Sequence, residues 1–362
     1  MKNIRIRELL PEDMGKISNL IRTRDDLDKE GAKKRTRLFE WLAFGNSSAN
    51  GEPTYFVAED DGNIVGHLGR MPTEFFINGK TRKAYFVHDL YVHPEYRKKG
   101  MGFFVTMSLY KAIENNSESF CCLVWTSELN LEIQRRIGYY ELKAGCYLKV
   151  LNPDVILKRV LRNKTLVKIL SSTVRKILDT IDLSMLRVIP SYRNITKIDR
   201  FDFQYDNFYQ SILGKIGICT YKQSNYLNWK LIDRPYSKIT VLAAHEKNGI
   251  KGYVVLSPNL GKNYPEGMIA DIIADPQDTR TIVSLIKASV DYFRRQKVFA
   301  IRCCVTDRRV IKILRRFLFL PLPRGEPVML ANLEKFERKE ILMNIDNWYL
   351  TYTESDTLMF RA

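Results

Sequence analysis

Histidine and cysteine are scarce in this chain of 362 residues, with four of the first and six of the second. None of them stands in CxxC or HxxxH spacing, which argues against a metal site. Six cysteines also make no disulfide framework. Cys121-Cys122 and Cys303-Cys304 are adjacent pairs inside apolar runs, and neighbouring side chains of a strand point to opposite faces. They read as core thiols of a reducing, cytoplasmic compartment. No apolar run approaches the roughly 18 residues needed to cross a bilayer. Met1 to Met14 is charged throughout, without the apolar stretch of a signal peptide. Gly-x-Ser-x-Gly and Walker-type loops are absent too.

What is present is length and positive charge. A chain this long exceeds what one core usually serves, so two domains are expected. Charged residues at 27% and aromatics at 11% fit an ordinary globular protein and exclude long disorder. The net charge is +17. Residues 1–153 hold 23 basic and 20 acidic side chains, and residues 154–362 hold 35 and 21. The basic excess therefore belongs to the second half.

Ile4 to Arg7 reads as a strand, followed by helical segments up to residue 50. Thr54–Glu59 and Ile64–Arg70 form a hairpin across Asp61-Gly62, and Phe75–Lys83 forms another around Asn78-Gly79. Tyr85–Val92 is a strand ended by His93-Pro94. Gly102–Glu114 has helical spacing, Ser119–Trp125 reads as a buried strand, Glu128–Ile137 as a helix stopped by Gly138, and Tyr139–Val150 as extended chain. In residues 154–190, Leu166, Leu170, Val174, Ile177 and Ile181 recur at helical spacing with Lys168, Arg175 and Lys176 on the other face. Such a segment is an interdomain helix with a solvated basic face, or a peripheral contact to an anionic lipid or polymer.

Beyond residue 200 the first pattern returns. Ala58–Gly66 (AEDDGNIVG) matches Ala244–Gly252 (AHEKNGIKG), Asp89–Pro94 (DLYVHP) matches Asp271–Pro276 (DIIADP), and QRRIGY at 134–139 matches LRRFLF at 314–319. Trp41 precedes Gly66 much as Trp229 precedes Gly252. Matches in the same order argue for two copies of one fold.

The strongest local signal is Asp89 to Gly102, DLYVHPEYRKKGMG. A strand ends at a proline, and a loop with Arg97, Gly100 and Gly102 opens a helix. A helix N-terminus offers unpaired N–H groups and a positive dipole end, and glycines allow close backbone approach. With Lys98 and Lys99 adding charge, this is an anion site.

These residues resemble the acetyl-CoA motif of the GNAT N-acetyltransferases, Arg/Gln-x-x-Gly-x-Gly/Ala after a Leu-x-Val-x-Pro strand. Leu90, Val92 and Pro94 take the strand positions, and Arg97, Gly100 and Gly102 the loop positions. The resemblance covers roughly residues 3–150. It implies an α+β fold of two tandem three-layer α/β/α lobes, the first at 1–153 and a degenerate second at 200–362. A basic helical connector at 154–199 joins them. It implies that Arg97 to Gly102, including Met101, hold the pyrophosphate of acetyl-CoA, that Leu90, Tyr91 and Val92 pair with its pantetheine arm, and that Asn130 also contacts it. Aligned without gaps on Pro94 and Pro276, the duplicate has Thr279, Ile282 and Ser284 where the first copy has Arg97, Gly100 and Gly102, which implies a lobe without the coenzyme. Where many members carry a Tyr acid, this chain has Gln134, and Tyr139 and Tyr140 are out of register. His88, Asp89 and Glu74 are the candidates for general base.

The activity so implied is acetyl transfer from acetyl-CoA, with no metal, to a primary amine of a small molecule. Trp229-x-x-x-x-Arg234-Pro235 and the ending Trp348 to Thr351 with Ser355-Asp356 resemble tandem acetyltransferases of polysaccharide synthesis, which points to an amino sugar. The alternatives are an aminoacyl-tRNA-dependent peptidyltransferase of the two-lobe type and a non-enzymatic basic binding module.

Overall fold

The computed structural model describes residues 4–355 and 358, apart from 25, 47, 48, 99, 117, 118, 120, 121, 126, 127, 162, 189–193, 248, 260–264 and 324. The first half runs β1 (Arg5–Glu8), α1 (Met14–Ile21), α2 (Lys29–Phe44), β2 (Tyr55–Asp60), β3 (Asn63–Ile77), β4 (Lys80–Val92), α3 (Met101–Asn115), β5 (Cys122–Trp125), α4 (Glu128–Arg136), β6 (Tyr140–Ala144) and β7 (Cys146–Val150). Then follow α5 (Asp154–Val160) and α6 (Lys164–Val188). The second half repeats the order: β8 (Ile195–Ile198), α7 (Phe203–Ile212), β9 (Cys219–Thr220), α8 (Ser224–Leu227), β10 (Thr240–Glu246), β11 (Gly249–Asn259), β12 (Glu266–Ala274), α9 (Thr279–Arg295), β13 (Ala300–Cys304), α10 (Arg308–Arg316), β14 (Leu320–Pro321) and β15 (Glu326–Ala331).

Local chemistry sets the first hairpins. Asp61-Gly62 and Asn78-Gly79 each take positive φ at both residues, the mirror-image turn that matches strand twist. The second turn joins longer strands than expected. β3 continues from Asn63 through Pro72 to Ile77, so Ile64–Arg70 and the start of the next hairpin are one strand.

Each half builds a sheet, but the sheets exchange strands. The first has the order β1-β2-β3-β4-β5-β15-β6, with β9 also on β3, and the second β14-β7-β13-β12-β11-β10-β8. β15 comes from the second half and separates β5 from β6, while β7 separates β13 from β14. Tyr139–Val150 is thus two strands in two sheets, broken at Gly145, and boundaries at 153/154 and 199/200 do not follow the sheets. An edge strand left unpaired invites pairing, and here the partner is the other half of the same chain. Trp41 and Trp229, at matching places in the repeat, stack at 4.7 Å near this pseudo-twofold arrangement.

The largest apolar cluster joins the halves: Phe39, Met71, Phe75 and Phe86 lie with Tyr226, Leu227, Tyr253 and Trp348. A second cluster lies under α9 and α10, and a third under α3. Cys303 falls in the second and Cys304 in the first, on opposite faces of β13 as strand geometry requires. In α6 the packed side is Val167 and Ser171 with half-buried Val174, Leu178 and Ile181, while Leu166, Leu170 and Ile177 are exposed. The buried face is therefore rotated from the expected stripe, and Asp179 ties it to Arg294 of α9 at 2.5 Å.

Candidate active site

β4 and β5 are paired, in parallel, only at Tyr85–Cys122 and Phe86–Leu123. Past Phe86, β4 runs on to Val92 while Val124 and Trp125 pair with β15, so the sheet opens as a wedge. The cause lies in β4. His67 opposes Tyr91 but Gly69 opposes His88, a bulge centred on Asp89, whose φ is +52°. Left-handed backbone at a non-glycine costs about 1–3 kcal/mol. The Asp89 carboxylate anchors it, accepting from Tyr55 Oη at 3.1 Å and pairing with Arg35. Gly69 is required opposite, because a Cβ there would lie 2.4 Å from the His88 ring.

Beyond the bulge, His93 N–H bonds to Val65 O at 2.8 Å. Antiparallel alternation then turns Tyr91 toward β3 and the peptide groups of Leu90 and Val92 into the wedge. Val92 O confirms this, since it accepts from Arg97 Nε at 2.7 Å. Arg97 also covers the Tyr91 ring at 4.9 Å. It braces the strand against the loop rather than standing free.

That loop ends in α3. Gly100 caps the helix at φ +75° with no side-chain cap, and nothing lies within 4 Å of where its Cβ would be. A Cβ on Gly102 would meet Arg97 Cα at 2.9 Å, so this glycine closes the loop onto the helix. Lys98 is exposed and Met101 half-buried; Lys99 lies outside the described residues. The first-turn N–H groups of such a helix have no intrahelical acceptor and carry the positive dipole end. An uncapped helix end with an open approach, next to a wedge lined by peptide groups, fits an extended ligand with a diphosphate. Asn130 lies half-buried in the first turn of α4.

The three candidate bases are placed differently from one another. Glu74 is exposed and stands opposite Lys83 in the β3–β4 register, on the closed side of the Phe86 vertex. His88 is buried against Tyr55, and burial pushes its imidazole down to about 3, so it stays neutral. For Asp89 burial opposes ionisation, but Arg35 outweighs it and keeps the carboxyl below its usual range. Gln134 is fully buried and donates to Tyr110 Oη at 2.8 Å, and Tyr139 packs on the same ring at 5.6 Å. Both belong to the α3–α4 core.

The second lobe starts from the same topology. β12 and β13 pair from Glu266–Ala300 to Ile269–Cys303 and then diverge. Here the gap is filled. Trp348, Tyr349, Leu350 and Thr351 are buried, and Thr351 bridges to Val305. Leu350 N–H bonds to Thr306 Oγ1 at 2.9 Å, Tyr349 Oη donates to Ile272 O, and Thr351 Oγ1 donates to Asp271 at 2.9 Å. The aromatic tail is therefore a plug and has no face left for sugar stacking; Asp356 lies outside the described residues. Trp229 is likewise covered by Trp41, and Arg234 is buried, donating to Leu358 O.

The anion loop is missing from the second lobe. α9 begins at Thr279, three residues after Pro276, whereas α3 begins seven after Pro94. The gap-free alignment to Ile282 and Ser284 thus gives way to one in which Asp278 stands at the Gly100 position. Its carboxylate caps the helix, accepting from Thr281 N at 3.0 Å. A carboxylate already holds the place an anion would take. Asp271, the counterpart of Asp89, is saturated by Lys222 at 2.9 Å, Tyr253 at 2.7 Å and Thr351. A cavity of about 1090 Å³ lies between α7 and the β10–β11 hairpin, away from the first wedge. No group of metal-ligand type occurs among the described residues.

Residues 18–135 match the model of the acetyltransferase (GNAT) family, from α1 through the wedge and loop to the last turn of α4. The chain carries a GNAT-family acetyltransferase domain over these residues. Its solved structural relatives fix the fold over most of its length. A conserved protein of unknown function (probable N-acyltransferase) from Enterococcus faecalis is 12% identical, with 94% of this chain and 75% of that one covered and a TM-score of 0.61. A GCN5-related N-acetyltransferase from Anabaena variabilis is 11% identical over 91% and 73%, TM-score 0.58. Saccharomyces cerevisiae N-myristoyltransferase, solved with myristoyl-CoA, is 11% identical over 91% and 82%, TM-score 0.57. No curated protein matches. The family match ends before the second lobe, whose GNAT-like topology is legible in its strand order.

Proposed function

We propose that the first lobe transfers an acetyl group from acetyl-CoA to a primary amine of a small molecule, while the second lobe binds no coenzyme. The observation that carries this reading is the pairing of the uncapped Gly100 helix end with the open wedge at Leu90–Val92, both of which are occupied by the protein itself in the second lobe.

Gly100, Met101 and Gly102 would hold the diphosphate through backbone N–H groups, with Lys98 and Lys99 adding charge. Leu90 and Val92 would pair with the pantetheine arm, and Asn130 would contact it from α4. The coenzyme supplies an activated acyl group as its thioester. Leu90 N–H, fixed by the bulge, would donate to the acyl oxygen as negative charge develops there. The rigid wedge sets the approach of the amine. A neutral His88 with its affinity for protons depressed to about 3 is a poor base, and Asp89 is committed to Arg35. The amine would therefore arrive deprotonated or lose its proton to water. With Gln134 in the core, solvent would protonate the thiolate, whose ordinary pKa is about 8.5. A short acyl group is supported by the closed vertex: Phe86 is buried, and the Lys230 ammonium lies 5.1 Å over its ring.

The test is coenzyme A release from acetyl-CoA over a panel of amino sugars and aliphatic amines, with myristoyl-CoA as a second donor. Turnover with acetyl-CoA and at least one amine is expected. Turnover that requires charged tRNA, or uses myristoyl-CoA alone, would reverse the reading.

A further inference from the structure

α4 and α10 are the same helix in the two lobes, nine residues each, in register from Glu128–Arg308 to Arg136–Arg316. In α4 the final arginines are neutralised: Arg136 pairs with Glu132 at 3.1 Å, and Arg135 with Glu141 at 2.5 Å. In α10 the arginines remain but every matching acid is gone. Arg308 replaces Glu128, Lys312 replaces Glu132, and Pro321 replaces Glu141. Two of the three replacements lie one turn apart on α10, and the third lies on β14 just beyond it.

The cations face a common space. A groove of about 530 Å³ is lined by Lys143, Arg308, Lys312, Arg315 and Arg316, with Tyr147, Thr306 and Ile311 among its other walls. Its only acid among the lining residues, Asp346, is taken by Arg308 at 2.9 Å. Lys143, Lys312, Arg315 and Arg316 have no carboxylate partner among the described residues. Lys143 arrives from β6, two residues before Gly145, where the chain crosses from the first sheet to the second. Like charges gathered without counter-charge repel and so destabilise the apo fold, unless a bound anion offsets them. Arginine and lysine heads on an apolar-floored groove of this volume suit a diphosphate on a nucleotide-sized body.

We infer that this groove is a second anion site, specific to the degenerate lobe, for a small molecule bearing a diphosphate, such as a nucleoside diphosphate or its sugar ester. The site is independent of the coenzyme loop and draws four of its five cations from the basic second half.

The experiment titrates the full chain, held in saturating acetyl-CoA, with inorganic pyrophosphate and with UDP by calorimetry. One site per chain is expected, and tighter binding of UDP than of pyrophosphate marks the nucleotide as the source. Lys312→Glu copies the Glu132–Arg136 pair of the first lobe, so the fold should hold, and it should weaken both probes at least tenfold. Arg315→Gln with Arg316→Gln serves as the second variant, with the same expected loss. Absence of binding in the wild type, unchanged affinity in both variants, or binding of tRNA but neither small probe would overturn the inference.

Discussion

Both lobes open a wedge after the same strand pairing, at Phe86–Leu123 in one and Ile269–Cys303 in the other, and both place an aspartate where the strand bulges. In the first, Asp89 holds the bulge and leaves the wedge open at Leu90 and Val92, with only Val92 O taken, by Arg97. In the second, Asp271 is the centre of a closed network with Lys222, Tyr253 and Thr351, and the chain's own tail lies in the gap. The difference teaches that one scaffold serves as a binding site or as a structural joint according to what fills its opening. The strand exchange makes the two roles inseparable.

The largest effect should come from cutting that exchange. Residues 1–153 expressed alone lack β15, which leaves β5 held only by its two pairs to β4, β6 without a partner, and β7 stripped of its own sheet. No cooperatively folded product is expected by circular dichroism and amide exchange; a stable lobe that binds acetyl-CoA would break the comparison.

Next is Lys222→Met. The ammonium is buried between Asp271 at 2.9 Å and Glu354 at 2.8 Å. Removing it leaves buried carboxylates uncompensated, a loss of about 3–5 kcal/mol in denaturant unfolding. Acetyl-CoA affinity per folded molecule should not change, because this network belongs to the plugged wedge.

Acid should act on the first lobe before the second. Burial pushes His88 to about 3 and His67 to about 4. Both are below the value near 6.5 of an unfolded histidine, so the unfolded state binds more protons between pH 6.5 and 4. Stability is complete above pH 6.5 and falls as pH drops, by up to about 1.4 kcal/mol per pH unit for each histidine. Unfolding midpoints from pH 7.5 to 4 check this, and a flat profile across that window would contradict it. In the second lobe burial opposes ionisation of Glu354, but Lys222 outweighs it and holds the carboxyl below its usual range.

The smallest effect is expected at Asp278. Asp278→Ala removes a helix cap and should cost about 0.5–2 kcal/mol. It should not create a second coenzyme site, since the loop is short and the wedge filled.

Much of this was legible in the sequence where chemistry is local. The Gly100–Gly102 loop, the Asx-Gly turns and the repeat of Ala58–Gly66 in Ala244–Gly252 are all carried by residues close in the chain. The strand exchange was not, because nothing in the composition of β7 or β15 says which sheet they join. The gap-free alignment of the duplicate fails because four residues are missing between Pro276 and α9, which only the observed start of the helix at Thr279 reveals. The aromatic ending resembled a sugar platform, and only tertiary packing of Trp348 to Thr351 reveals the plug. The three candidate bases were chosen by residue type near the loop; burial and the Arg35 pair decide their state, and neither is readable from spacing.

The most direct test of the unequal lobes is the stoichiometry of acetyl-CoA by calorimetry, in wild type and in the Gly100→Val, Gly102→Val double variant. One site per chain is predicted, lost in the variant while the fold persists. Two sites per chain, or equal affinity in wild type and variant, would contradict the account.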